Sequence, residues 1–187
     1  MTEEPLNAAS IVEVFNSLFA DSDNTRLIAG GEEPIYLPAD RETPYHRILF
    51  REDFVASALH EVAHWCVAGE ARRLQRDFGY WYAPDGRDAA QQRAFERVEV
   101  KPQALEWIFS RSCGLRFRPS VDNLAGCWTD PTPFAEAITQ RVRVVLETGL
   151  AARPALFANA LCLRWGTGQL PDIDAFRCEL ILPEPFA

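Results

Sequence analysis

Two histidines spaced four residues apart, with a glutamate directly after the first, constrain this chain more than any other feature. They are His60, Glu61 and His64, in the pattern H-E-x-x-H within an otherwise apolar stretch. On an α-helix, residues four apart lie one turn apart on the same face, so both imidazoles can reach a single ion. Burying two imidazoles and a carboxylate is costly unless they are paired or ligated. The pattern therefore predicts one catalytic metal ion bound by His60 and His64, with Glu61 as a catalytic residue; the competing interpretation is a pair of hydrogen-bonded core histidines.

Local signals place this motif on a helix over 54–68, with Asp53 as its N-cap. A second, longer helix is predicted over 88–112, because Asp88 and Gln91 have the spacing of a capping box. Periodicity and turn residues predict the other elements, which are helices over 7–20, 133–149 and 154–165 and short strands over 25–29, 34–37 and 46–51.

A third protein ligand has to come from elsewhere in the chain, because no histidine follows His64. Glu99 lies in register with the apolar stripe of the long helix, and a carboxylate on an inward face favours a cation as its partner. We therefore expect Glu99 to be the third ligand. Glu96, one step further round the helix, remains the alternative, and Glu99 paired with a base at the surface is the competing interpretation. His46 is a further candidate for the metal site.

An aromatic and polar segment separates the two helices of the predicted metal site. Tyr80, Tyr82 and Asp85 belong to it, beside a Pro-Asp-Gly turn. Tyrosine rings and a carboxylate suit an ammonium group, through cation–π contact and charge pairing. We expect these three residues to contact substrate; an ordinary turn and helix cap is the alternative.

Composition limits the class of protein. The net charge of -8 disfavours general nucleic-acid binding, which needs a basic face. The chain contains no apolar run long enough to cross a bilayer, and its acidic N-terminus does not resemble a signal peptide. Five cysteines without a C-x-x-C pair indicate buried thiols in a reducing compartment. We expect a single domain over 1–187, mostly helical and of α+β class with a small N-terminal sheet, located in the cytoplasm.

Two histidines and one carboxylate around open positions support two chemistries. With Zn²⁺, and Glu61 as general base, the chain would be a small peptidase. With Fe(II), the same ligand set is that of non-haem oxygenases. A third hypothesis is a non-catalytic binding module whose structural metal has four protein ligands, with His46 or a cysteine completing the set.

Four segments of the chain carry a resemblance that is more specific than the metal motif. The chain resembles the elongation factor P hydroxylase family from Ile11 to about Ala160. The segments are EPIYLPAD at 33–40, ALHEVAHWC at 58–66, DFGYWY with PDGRD at 77–88, and VEVKPQALEW at 98–107.

The resemblance implies an activity, a cofactor and a fold. It implies a non-haem Fe(II) enzyme that uses O₂ to hydroxylate a lysine of elongation factor P already carrying a β-lysyl group, on a zincin-like fold. The metal ligands of the family correspond to His60, His64 and Glu99. The His-x-Asp motif of 2-oxoglutarate dioxygenases is missing, so 2-oxoglutarate is not expected as a cosubstrate.

Overall fold

Five α-helices and a small N-terminal sheet make up most of the described chain. The computed structural model describes residues 5–77, 86–121, 130–166 and 168–182. This confirms the prediction of a mostly helical α+β protein. The helices are α1 Ala8–Phe19, α2 Val55–Val67, α3 Ala89–Ser112, α4 Thr132–Thr148 and α5 Ala152–Trp165, and the strands are β1 Thr25–Gly31, β2 Ile35–Leu37 and β3 His46–Arg51.

The sheet has three strands in the order β1-β3-β2, so β3 is its central strand. It pairs in parallel with β1 and antiparallel with β2. Helix α1 lies against β1. The side-chain amide of Asn16 joins the two, accepting from Leu27 N at 2.8 Å and donating to Leu27 O at 3.3 Å. The sheet thus provides a wall against which α2 packs.

The turn from β3 into α2 explains why the predicted N-cap is wrong. Glu52 has a left-handed backbone with φ of 48°, which reverses the chain directly after the strand. Phe54, rather than Asp53, then occupies the N-cap position, with extended backbone and no side-chain cap. The Ser57 hydroxyl instead ties the first turn of α2 to the end of β3, since it accepts from Arg51 N at 3.0 Å. The tertiary turn, rather than a local capping preference, sets the start of this helix.

Helix α3 is the central helix of the protein. It packs against α2, α4 and α5. The predicted capping box is confirmed, because Asp88 accepts from the amides of Ala90 and Gln91, and the Gln91 side chain accepts from Asp88 N at 3.0 Å. The helix includes Pro102 and ends at Ser112, as predicted. The helix is long enough to extend from the loop 86–88 to the opposite end of the core.

Among the described residues, one hydrophobic cluster joins the five helices to the sheet. Edge-on contacts between aromatic rings lie at its centre. The ring centroid of Phe157 lies 5.0 Å from that of Phe109 and 6.0 Å from that of Phe15. Where α5 ends, a Cβ on Gly166 would lie 2.5 Å from the carbonyl oxygen of Ser112, so only glycine fits this approach. Across the described ranges, none of the helices combines the length and the apolar character that a membrane span requires.

Candidate metal centre and adjoining cavity

Three side chains from α2 and α3 converge on one point. Nε2 of His60 and Nε2 of His64 lie 3.0 Å apart. The carboxylate of Glu99 lies 3.3 Å from Nε2 of His64 and 3.7 Å from Nε2 of His60. One ligand atom from each of the three residues lies within 4.8 Å of the other two. The structure therefore brings together the three residues that the sequence singled out.

The packing of α2 produces this convergence. Leu59, Val62 and Ala63 on one side of the helix are fully buried in the core. That fixes the rotation of the helix about its axis, and the histidines, four residues apart, then face α3 from adjacent turns. Their side chains stay 23% and 16% exposed, for His60 and His64 respectively, whereas Glu99 is 3% exposed. The carboxylate is at the base of the site and the imidazoles are nearer to solvent.

Glu106 lies about two helical turns after Glu99 on α3 and contacts His60 through the ring nitrogen that does not face the ligand cluster. Its Oε2 lies 2.7 Å from Nδ1 of His60. A carboxylate can only accept, so Nδ1 carries the proton and Nε2 is directed at Glu99. Carboxylate–histidine contacts of this kind are the usual support for a histidine ligand. The sequence analysis missed Glu106, although its position seven residues after Glu99 puts both on the same face of α3.

Gln103 supports Glu99 in a similar way. Its side-chain nitrogen donates to Oε2 of Glu99 at 3.2 Å and to the carbonyl of Ser120 at 2.7 Å. The amide oxygen of Gln103 accepts from Ser120 N at 3.1 Å. The carboxylate is therefore tied through one buried amide to the chain that follows α3.

The charges of the cluster are strongly coupled. Burial favours a neutral His60, but the Glu106 carboxylate outweighs it and raises the pKa of His60 to about 10. Burial also favours a protonated Glu99, yet the hydrogen bond and charge of His64 prevail and lower the pKa of Glu99. Burial raises the pKa of Glu61 despite the nearby histidines. In the metal-free protein, the proton on His60 therefore provides positive charge where a metal ion would supply it.

The donor set fits a divalent transition metal. Two imidazole nitrogens and one carboxylate oxygen suit iron and zinc alike. Within the described residues, this is the one group of three or more histidine, cysteine, aspartate or glutamate side chains close enough to share an ion. Three protein ligands leave coordination positions for water, oxygen or substrate, as catalytic sites do. Metal binding by these residues stays a prediction.

The other candidates for the site have different roles. Glu96 accepts from the Gln92 side chain at 3.1 Å and lies outside the cluster. His46 accepts from Ala39 N through Nδ1 at 3.0 Å, and its ring stacks on Tyr36. His46, a minor candidate from the sequence, therefore lies outside the ligand cluster, where the sheet holds it. The predicted substrate contacts Tyr80, Tyr82 and Asp85 lie outside the described residues.

A cavity of about 170 Å³ adjoins the cluster on the sheet side of α2. Glu61 and His64 line it together with Trp65 and Ala68, which continue the same helical face. Ile48 of β3 forms part of the opposite wall. His64 thus faces both the ligand cluster and the cavity, so a molecule in the cavity would lie next to a bound metal.

Comparison with known proteins agrees with the residues quoted from the sequence. Residues 14–175 match the family model described as elongation factor P hydroxylase. The chain is 51% identical over 157 residues to a Haemophilus influenzae protein named elongation factor P lysine hydroxylase, and the match covers 84% of this chain and 88% of that protein. The family match includes all of α2 and α3, the helices that carry the ligand cluster. A match of this extent, with the histidines and carboxylate brought together as the family resemblance implies, establishes that the chain belongs to the elongation factor P hydroxylase family.

Proposed function

We propose that this protein hydroxylates a lysine side chain of elongation factor P. The observation that carries the proposal is the 51% identity to a protein named for that reaction, over 84% of the chain. Identity at this level extends through the helices of the site, so the same chemistry is expected from the same fold. The cluster of His60, His64 and Glu99, which could hold a metal ion, supports the proposal that the reaction takes place there.

The proposal includes one mononuclear metal ion, Fe(II), held by His60, His64 and Glu99. When bound to two histidines and one carboxylate, Fe(II) supplies oxygen activation for insertion into a C–H bond. Zn(II) fits the same three ligands but has no redox chemistry, which is why iron is assigned. The substrate lysine is taken to carry the β-lysyl group that the family resemblance implies, and 2-oxoglutarate is not part of the proposal.

The protein side chains have distinct tasks in this scheme. Glu106 holds the proton on Nδ1 of His60 and so keeps Nε2 free as a ligand. Gln103 fixes the carboxylate of Glu99. Glu61 faces the cavity beside His64, where it can accept or return a proton close to the substrate. Ile48 and Trp65 supply apolar parts of the wall of the adjoining cavity.

Mass spectrometry of elongation factor P tests the proposal directly. β-Lysylated factor is incubated with the Fe(II)-loaded chain, oxygen and a two-electron reductant such as ascorbate, and the expected result is a gain of one oxygen atom on the modified lysine while the second oxygen atom is reduced to water. The His64→Ala variant should give no gain. His46→Ala is the matched control, because this histidine is hydrogen-bonded outside the cluster and its variant should still bind one iron.

Two other outcomes would replace the proposal. Peptide cleavage with zinc, abolished by Glu61→Gln, would make the chain a peptidase with Glu61 as the hydrolytic base. A metal that resists chelators in a protein without either activity would indicate a closed structural site. The three-ligand cluster described here argues against the second of these.

A further inference from the structure

The cavity beside the ligand cluster has the metal site on one side and arginines on the other. His64 lines the first side, so a bound metal ion would lie next to the cavity there. Arg72 and Arg73, from the segment that follows α2, form part of the other wall. The volume of about 170 Å³ leaves space for one small organic molecule, since a cavity of roughly 150 Å³ can hold benzene. Such a molecule would lie between the metal site and the arginines.

Arg73 is a cation without a carboxylate partner in the described chain. Its Nη1 donates to the backbone carbonyl of Ala68 at 2.8 Å. Asp77 also lines the cavity, but its carboxylate accepts from Nε of Arg72 at 2.6 Å, so these two charges compensate each other. A neutral carbonyl does not compensate a guanidinium, and a charged group in a cavity wall favours a counter-ion. The charge of Arg73 therefore remains available to a ligand.

Arg153 brings a second guanidinium to the same carbonyl. Its Nη2 donates to Ala68 O at 2.9 Å and to Cys66 O at 3.3 Å. Its Nη1 is buried, and no acceptor in the described part of the chain bonds it. Two like charges that share one neutral oxygen repel each other, and burial together with the charge of Arg73 lowers the pKa of Arg153. An anion next to Arg73 would offset this repulsion.

The remaining polar groups of the cavity wall do not supply that negative charge. The Tyr36 hydroxyl donates to the carbonyl of Arg73 at 2.9 Å, and burial raises the pKa of Tyr36 to about 12, so the ring stays neutral. Glu61 lies on the metal side, where the charges that act on it most are those of His64 and His60. Among the described residues, the arginine side of the cavity is therefore short of negative charge.

We propose that this cavity binds a small organic anion that supplies the electrons for hydroxylation. The anionic group pairs with Arg73, and the rest of the molecule lies against Ile48 and Trp65 towards His64. Arg73 is then a binding residue for the reductant. This inference rests on the proposed function, because it is the insertion of oxygen that requires a reductant.

The electron balance of the reaction defines the class of molecule. One atom of O₂ forms the new C–O bond in place of a C–H bond, the O–O bond breaks, and the other atom leaves as water, which consumes two electrons and two protons. An enediolate supplies both electrons and one of the protons when it is oxidised to the diketone, and solvent supplies the second proton. Enediolates are small and anionic at neutral pH, so they fit both the cavity and the charge of Arg73.

Two probes isolate the contribution of the negative charge. Ascorbate is an enediolate, whereas 3-O-methylascorbic acid lacks the acidic hydroxyl and is uncharged at neutral pH. Each is titrated under argon into the full-length, Zn(II)-loaded, ¹⁵N-labelled protein, because zinc has no redox chemistry and leaves the probes intact. The backbone amide shifts of Ala68, Gly69 and Arg73 are followed. Ascorbate should bind about tenfold more tightly, the usual scale of a hydrogen bond to a charged group.

Variants assign that preference to Arg73. Arg73→Gln should remove the tenfold preference, whereas Arg73→Lys, which keeps the charge, should retain part of it. Arg143→Gln is the matched control, because this exposed arginine of α4 lies outside the cavity wall and its replacement should change nothing. Zinc content is measured for each variant, so that loss of metal is not mistaken for loss of anion binding.

Equal binding of the two probes, or no shift of these amides up to the solubility limit, would overturn the inference. An intact preference in Arg73→Gln would also overturn it, since the anion would then bind to the metal alone. Oxygen addition to elongation factor P by the iron-loaded wild type is scored separately. Oxygen addition without a preference for the anion would refute the reductant site and keep the proposed function. A preference that depends on Arg73, without oxygen addition, would refute the function and keep the anion site.

Discussion

The Nδ1 atom of His60 lies 2.7 Å from Oε2 of Glu106, so a carboxylate on α3 fixes which nitrogen of a histidine on α2 faces the ligand cluster. The contact crosses from one helix to the other, as the ligand cluster itself does. It supports the cluster both by orienting a ring and by setting where its proton lies. The first two predictions follow from these two effects.

Replacing Glu106 should weaken metal binding without removing any ligand atom. In Glu106→Gln the neutral amide holds the His60 ring less firmly and makes it a poorer donor to the metal. Loss of such support costs roughly 10- to 100-fold in metal affinity. Competition against a chromophoric chelator with Co(II) measures the affinity, and Glu147→Gln on the exposed surface of α4 is the control. Affinity equal to wild type would mean that the His60–Glu106 contact has no role in metal binding.

Metal binding should release a proton from His60 at neutral pH. Its pKa is raised to about 10 in the metal-free protein because the Glu106 carboxylate outweighs the effect of burial. The imidazolium must lose its Nε2 proton to bind a metal, so the affinity should increase with pH up to about 10. Calorimetric titrations in two buffers of different ionisation enthalpy count the protons released. A count of zero near neutral pH would contradict the charge state described here.

The same raised pKa predicts how the metal-free protein responds to pH. A histidine whose pKa is raised on folding stabilises the native state fully below its ordinary value near 6.5. This contribution should be lost as the pH rises from there towards 10. The free energy of unfolding of the metal-free chain should therefore fall over this range, as measured by urea denaturation. His60→Ala, which lacks the titrating group, should show a shallower dependence on pH.

Removing the Gln103 side-chain amide should affect both the site and the fold. In Gln103→Leu, Glu99 loses a hydrogen bond and both backbone groups of Ser120 lose their partner. Removing a hydrogen bond from the buried Glu99 carboxylate costs about 1–3 kcal/mol, whereas the exposed Ser120 can bond water instead, so a drop in the free energy of unfolding of this size is expected. Urea denaturation with and without Zn(II) measures it, and the metal-dependent increment should also shrink. An unchanged midpoint would show that water replaces the amide at no cost.

Two glycines provide a paired test of packing at the end of α5. A Cβ at Gly166 would lie 2.5 Å from Ser112 O, so Gly166→Ala forces the ends of α3 and α5 apart. Overpacking of this kind costs roughly 1–3 kcal/mol. A Cβ at Gly69 meets nothing within 4 Å, and Gly69→Ala should leave the thermal midpoint nearly unchanged. Similar midpoints for the two variants would disprove the close approach.

The sequence predicted a helix or strand well where the signal for it lies within that helix or strand. The capping box at Asp88 and Gln91 placed the start of α3 correctly, and the strand at 46–51 was found from its apolar pattern. The N-cap of α2 was misplaced because a left-handed Glu52 sets the turn from β3 into the helix. Glu52 exchanges backbone hydrogen bonds with Gly30 and Gly31 of β1, a pairing that has no local signature in a single sequence.

The same distinction, between signals within one element and contacts between elements, applies to the candidate site. His60, His64 and Glu99 were found because spacing and the inward face of a helix can be read from the chain. Glu106 was missed because its role depends on a contact with His60, which lies 46 residues earlier in the chain. The cavity could not be predicted at all, since it forms only where α2 meets the sheet and the segment after it. The sequence predicted the elements themselves, but it did not predict these contacts between elements.

The division of the ligand cluster between α2 and α3 has a consequence for the life of the protein in a cell. An ion bound by His60, His64 and Glu99 would cross-link two helices of the core. Ligands that bind only the native state add to its stability, by an amount that increases with the ratio of free ligand to the dissociation constant. A cell short of the ion would therefore hold more of this chain unfolded and exposed to proteases. The abundance of the protein, and not only its activity, would then follow the supply of metal.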